Sequence, residues 1–137
     1  MQDYLHVRMT KDEVNAISAL GLAHMGDCVY ELLVRGSLCL GGLSTAENLH
    51  RETVKQVAAP AQAARMELLL PLLTEEEIGF YKRGRNAHPH GIPKNATPAQ
   101  YAKATGLECL FGALYLLGAY DRINELFAIL TEAPDAL

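Results

Sequence analysis

Acidic residues are missing altogether from positions 78 to 107, in a chain that is acidic overall with a net charge of −4. The overall sign argues against a generally basic nucleic-acid binder, but the average conceals a split. Lys82, Arg83, Arg85, Lys94 and Lys103 fall inside the acid-free run, and all sixteen Asp and Glu residues lie outside it. One concentrated basic region on an acidic body is a sharper clue to partners than the isoelectric point. Long apolar runs are scarce too. The longest nearly uncharged stretch, Ala104 to Tyr120, is interrupted by Glu108 and is too short to cross a membrane. The opening "MQDYLHVRMTKDE" lacks the basic start and apolar stretch of a secretory leader. The three cysteines, Cys28, Cys39 and Cys109, form no CxxC pair and no zinc-ligand spacing. Their odd number in apolar surroundings predicts buried free thiols in a reducing cytosol. No lysine follows "GGLST", which excludes a phosphate-binding P-loop, and no nucleophile carries a local activating signature.

What is present reads as helix throughout. With 137 residues, half of them hydrophobic, the chain can build one domain with a real core. "TKDE" at Thr10, "STAE" at Ser44 and "TEEE" at Thr74 have capping-box form, and Thr97-Pro98 is a fourth start signal. Apolar residues recur at helical spacing from Val14 to Leu40, where Gly41-Gly42 ends the segment. Further helices are predicted over about 45–58, 61–70, 75–83, 98–117 and 121–131, with a break near Pro60 and an irregular stretch "GRNAHPHGIPKNATP". Strand alternation and repeats are absent. The expectation is a single all-α domain spanning residues 1–137.

Two carboxylates stand in unusually apolar neighbourhoods. Asp27 lies in "ALGLAHMGDCVYELLV", and Glu108 is the only charged residue between Ala104 and Tyr120. Burying an ionised carboxylate costs several kcal/mol unless something compensates it. Neither has a Lys or Arg three or four residues away, whereas Glu31 has Arg35. Either the two carboxylates accept hydrogen bonds inside the core, or they converge on one hard divalent cation such as magnesium. The basic stretch also admits two readings. Lys82, Arg83 and Arg85 oppose the dipole at a helix end. With Asn86, His88, His90, Lys94 and Asn95 they also suit a phosphate backbone, and the lack of any acid favours that reading. "HPH" at His88 to His90 is a poor metal site, because no further ligand is near. His50 is a helix-surface residue or an RNA ligand.

These residues together resemble the catalytic domain of ribonuclease III, and most of all its short branch, Mini-ribonuclease III, which lacks a separate double-stranded-RNA-binding domain. The segments that carry the resemblance are "ALGLAHMGDCVYELLVR", "LHRETVKQVAAPAQA", "LTEEEIGFYKRGRNA", "PKNATPAQYAKATGLECLFGALYLLG" and "RINEL". The resemblance implies the ribonuclease III endonuclease fold and a Mg2+-dependent homodimer that cleaves double-stranded RNA to 5′-phosphate and 3′-hydroxyl ends. It further implies maturation of precursor 23S ribosomal RNA in the bacterial cytoplasm, with a ribosomal protein on the substrate as a further partner and no membrane association. The family's acidic metal-site residues match Asp27 and Glu108, which are therefore the expected catalytic and metal-binding pair. Arg83, Arg85, Asn86, Lys94 and Asn95 are the expected RNA contacts, with Gln62 in "PAQA" as a further candidate.

Two departures from full-length ribonuclease III matter. Ala23 and Thr105 stand where that enzyme has a glutamate and an aspartate, so two of four carboxylates are missing. Waters, Thr105 or Glu31 are available to complete a metal shell. The alternative is an RNA-binding or ribosome-assembly scaffold that kept the fold and lost turnover. Leu20, Leu22, Leu33 and Leu38, on the signature helix, belong to the core or to the dimer seam.

Overall fold

The computed structural model describes residues 1–87 and 94–132. Seven α-helices lie within them, and the described residues contain no strand. They are α1 (Lys11–Asn15), α2 (Ala19–Leu40), α3 (Ala46–Val57), α4 (Ala59–Leu69), α5 (Glu75–Arg85), α6 (Pro98–Leu116) and α7 (Tyr120–Glu132), with a 3-10 turn at Leu70–Leu72. The all-α expectation holds.

Local chemistry explains most boundaries. Thr10 with Glu13 and Thr74 with Glu77 form capping boxes, and Thr97 forms one with Gln100. The apolar run from Val14 is two helices rather than one, because the Ser18 hydroxyl accepts from the Gly21 amide and starts α2. The box expected at Ser44 does not form: the cap is the next residue, Thr45, extended at φ −101° and ψ 145°, whose hydroxyl accepts from the Asn48 amide at 3.2 Å. Pro60 breaks nothing, since it lies in the first turn of α4, where no intrahelical amide donor is needed. The chain turns at Ala58 instead.

Helix α6 runs through the centre, packed by α2, α5 and α4. Leu107, Leu110, Phe111, Ala113 and Cys109 are fully buried on it, as a helix covered on several sides requires. Glycines set how closely its neighbours approach. A Cβ on Gly26 of α2 would fall 1.5 Å from the Glu108 carbonyl oxygen, and one on Gly112 would fall 2.1 Å from that of Leu22. Helices α2 and α6 therefore cross nearly backbone to backbone, at the turn that carries Asp27 and Glu108. Gly84 does the same for α5, whose C-terminal turn rests on Thr105, Gly106 and Cys109 of α6.

Two polar ties complete the frame. Arg122 of α7 clasps Glu77 at 2.8 and 2.9 Å and also donates to the Leu72 carbonyl, which locks α7 to the start of α5. Arg65 of α4 is buried and donates to the Tyr30 hydroxyl at 2.7 Å, beneath a cluster of Tyr30, Phe111 and Phe127. The cysteines correct an expectation. Cys109 is buried, but Cys28 and Cys39 are exposed on α2, and Cys39 lines a hollow beside α3.

Candidate active site

The crossing of α2 and α6 brings the two isolated carboxylates together. Asp27 is exposed at the rim, and Glu108 is half-buried beneath it. They lie close enough for the Asp27 carboxylate to accept a hydrogen bond from a protonated Glu108. Burial first, and the negative charge of Asp27 second, push the Glu108 carboxyl up to about 8. A carboxyl raised in this way favours its protonated form at neutral pH, and a cation set against the pair would favour the ionised form.

The partner that opposes this shift is Gln62, on the first turns of α4. It is 2% exposed. Its Nε2 donates to the Val57 carbonyl at 2.8 Å and reaches Glu108 Oε2 at 3.5 Å. The residue expected to touch RNA thus lies beneath the carboxylates, at the corner between α3 and α4.

The remaining candidates are distributed as follows. Glu31 is paired with Arg35 at 2.5 Å, the partner expected from their spacing. Thr105 is buried, and its hydroxyl donates to the Tyr101 carbonyl one turn back. Ala23 is buried. Neither departure is replaced by another charged oxygen, and among the described residues no group of three or more His, Cys, Asp and Glu side chains gathers. The donor set is two carboxylates with buried amide chemistry beside them. Hard oxygen donors of this kind fit a magnesium-type cation that keeps most of its waters.

Arg83 and Arg85 flank Gly84 on the last turn of α5, which rests on the turn of α6 from Thr105 to Cys109. Arg83 is half-buried and donates to the Ile17 carbonyl at 2.6 Å, so one arm of it fastens α5 to the entrance of α2. Arg85 lies over the Tyr81 ring at 5.6 Å, and its Nε donates to Asn86 Oδ1. Asn86, Lys94 and Asn95 are exposed. Lys103 is paired with Glu67 of α4. His88 and His90 lie outside the described residues. His50 is exposed on α3 and lines a hollow with Arg35, Cys39, Leu49 and Thr53, away from the carboxylates.

Sequence reasoning overlooked Gly26 and the burial of Gln62. The first had a signal, since a glycine immediately before an isolated aspartate on an apolar helix invites close packing. The second had none, because a glutamine in "APAQAAR" looks like a surface residue.

Known proteins resemble the chain over most of its length. The ribonuclease III domain family matches residues 20–119, which include Asp27, Gln62, Arg85 and Glu108. The chain is 48% identical over 106 residues to Mini-ribonuclease 3 of Symbiobacterium thermophilum, covering 77% of this chain and 82% of that protein. It is 39% identical over 121 residues to Mini-ribonuclease 3 of a Thermoanaerobacter species, covering 88% and 85%. A crystal structure of a Fusobacterium nucleatum protein superposes with a TM-score of 0.78 at 28% identity, covering 88% of this chain and 96% of that one. The chain belongs to the ribonuclease III family, in its Mini-ribonuclease 3 branch.

Proposed function

We propose that this protein is a divalent-metal-dependent endoribonuclease that hydrolyses double-stranded RNA, with Asp27 and Glu108 at its reacting centre. The observation that carries the reading is the carboxylate pair held at the α2–α6 crossing, one member of which is pushed up to about 8. Within a ribonuclease III domain, such a pair has a direct use. Asp27 and Glu108 would hold the cation, and Glu108 gives up its proton to do so. A magnesium ion held there would acidify a water and offset the charge that develops on the phosphate. Hydrolysis adds water across the bond between phosphorus and the 3′ oxygen: its oxygen joins phosphorus as the 5′-phosphate, and a proton passes through solvent to the 3′-hydroxyl.

Arg85, Asn86, Lys94 and Asn95 offer cationic and amide donors to the phosphates, with Arg83 bracing the helix that presents them. A-form RNA is recognised by shape through phosphates and 2′-hydroxyls, so sequence preference is modest. The fit of the residues to magnesium rests on their hard oxygen chemistry.

Two copies would place two sites on opposite strands of one duplex. The seam we propose for the second copy is the exposed side of α2. Leu22 is fully buried in the core, Leu33 and Leu38 are partly buried, and Leu20, Leu32 and Leu40 are exposed at 43%, 60% and 92%. The family resemblance points to precursor 23S ribosomal RNA in the cytoplasm as the substrate, with a ribosomal protein as a further partner. No described helix is long and apolar enough to cross a membrane.

The test is incubation of a long RNA duplex with the wild type and with Glu108→Gln, with Mg2+ and with EDTA. Cleavage by the wild type alone, and only with Mg2+, is expected. Duplex binding by both proteins with cleavage by neither would favour the scaffold reading instead.

A further inference from the structure

Most buried polar side-chain atoms of the described residues find a partner, and the exceptions are concentrated. Thr53 Oγ1, Gln56 Oε1, Gln62 Oε1 and Arg65 Nε have none, and all four belong to α3 and α4. Only Gln62 touches the carboxylate pair. Its amide orientation is fixed by chemistry, because the end that meets the Val57 carbonyl must be the nitrogen. The nitrogen also faces Glu108 Oε2, and the oxygen is left buried without a donor. A buried acceptor in a polar site calls for water or a cation.

The two ends of this amide ask for opposite things. Nε2 donates to the Val57 carbonyl at 2.8 Å and reaches Glu108 Oε2 at 3.5 Å, so it is held where it can orient that oxygen. Oε1 is an acceptor, and the donors available beside a carboxylate-bound cation are its own water molecules. We infer that Gln62 is a positioning residue of the metal site: its Nε2 orients the Glu108 carboxylate, and its Oε1 accepts from a water of the cation's shell. This rests on the metal-dependent reading above. It also gives the site a neutral oxygen where Ala23 and Thr105 supply no carboxylate. Because Val57 ends α3, the same amide ties the α3–α4 corner to the site.

The test compares Gln62→Leu with Gln62→Glu. Both lose the donor to Val57, so both are expected to melt below the wild type without metal. They differ in whether an acceptor oxygen remains. The readouts are the rise in melting temperature on adding MgCl2 or MnCl2, and the Mg2+ concentration for half-maximal duplex cleavage. For Gln62→Leu the metal-induced rise should largely vanish, and half-maximal Mg2+ should increase about tenfold, while duplex affinity in EDTA stays within about twofold of wild type. For Gln62→Glu the rise should equal or exceed that of wild type, with half-maximal Mg2+ at or below it. A wild-type response to metal in Gln62→Leu overturns the inference. So does an equal loss of response in both variants, which would reduce Gln62 to a structural tie. Should the wild type itself neither cleave nor respond to metal, the parent reading fails first. Glu108→Gln alongside separates that outcome from a failure at Gln62.

Discussion

Two glutamates are drawn inside this fold, and they are treated in opposite ways. Glu77 caps α5 and is clasped by Arg122, whose hydrogen bonds hold its carboxyl below the usual range. Glu108 meets another carboxylate across a glycine-lined crossing, and burial and that charge push it up to about 8. The first is finished within the chain. The second is not, and the compensation it lacks is the kind a cation supplies. A carboxylate whose needs are met locally belongs to the scaffold, and the one held against a like charge is the one we propose for the reaction.

The contrast is most sharply tested by neutralising each glutamate in turn. Glu108→Gln should lower duplex cleavage by about a thousandfold or more, on the order of 4 kcal/mol in activation free energy. Its metal-free stability should be equal to or above wild type, because glutamine needs no proton to stay neutral beside Asp27. Equal melting curves with lost turnover would bear this out, and retained turnover would break the comparison. Arg122→Ala should do the reverse. Orphaning Glu77 should cost about 3 kcal/mol in urea unfolding, with cleavage retained at a temperature where the variant is folded.

The pH dependence of stability separates the two further. Glu77 has a lowered carboxyl, so its contribution is present above the unfolded value near 4.5 and is lost as pH falls through the lower folded one. Glu108 has a raised carboxyl, so its contribution is present below 4.5 and is lost as pH rises toward 8. Metal-free unfolding measured from pH 5 to 8 should therefore show stability declining in the wild type. The decline should be flatter in Glu108→Gln and unchanged in Arg122→Ala. The smallest effect lies outside both glutamates. Arg85→Ala should weaken duplex binding several-fold, lower the salt dependence by about one unit of slope, and leave stability alone.

How much of this was legible in the sequence follows from what each residue shows of itself. Asp27 and Glu108 declare themselves, because a lone charge in an apolar helix has few uses. The capping boxes at Thr10 and Thr74 are equally plain, being complete within four residues. What stayed hidden depends on the other side of a contact. Gln62 looks like surface until α4 is laid over α6, and Arg83 looks like a free cation until the Ile17 carbonyl is beside it. Cys28 and Cys39 look like core because their helix is apolar, but both are exposed on it. The Ser44 start misses by one residue, since two adjacent hydroxyls offer the same cap and only the backbone at Thr45 decides between them.

If the Asp27–Glu108 pair holds a proton in place of a cation, binding a cation releases it. The most direct measurement is the number of protons released when MnCl2 binds, by calorimetry at pH 7 in two buffers of different ionisation heat. The account predicts about one proton released per cation by the wild type and none attributable to the site in Glu108→Gln. Metal binding by the wild type without proton release, or the same release from both proteins, would contradict it.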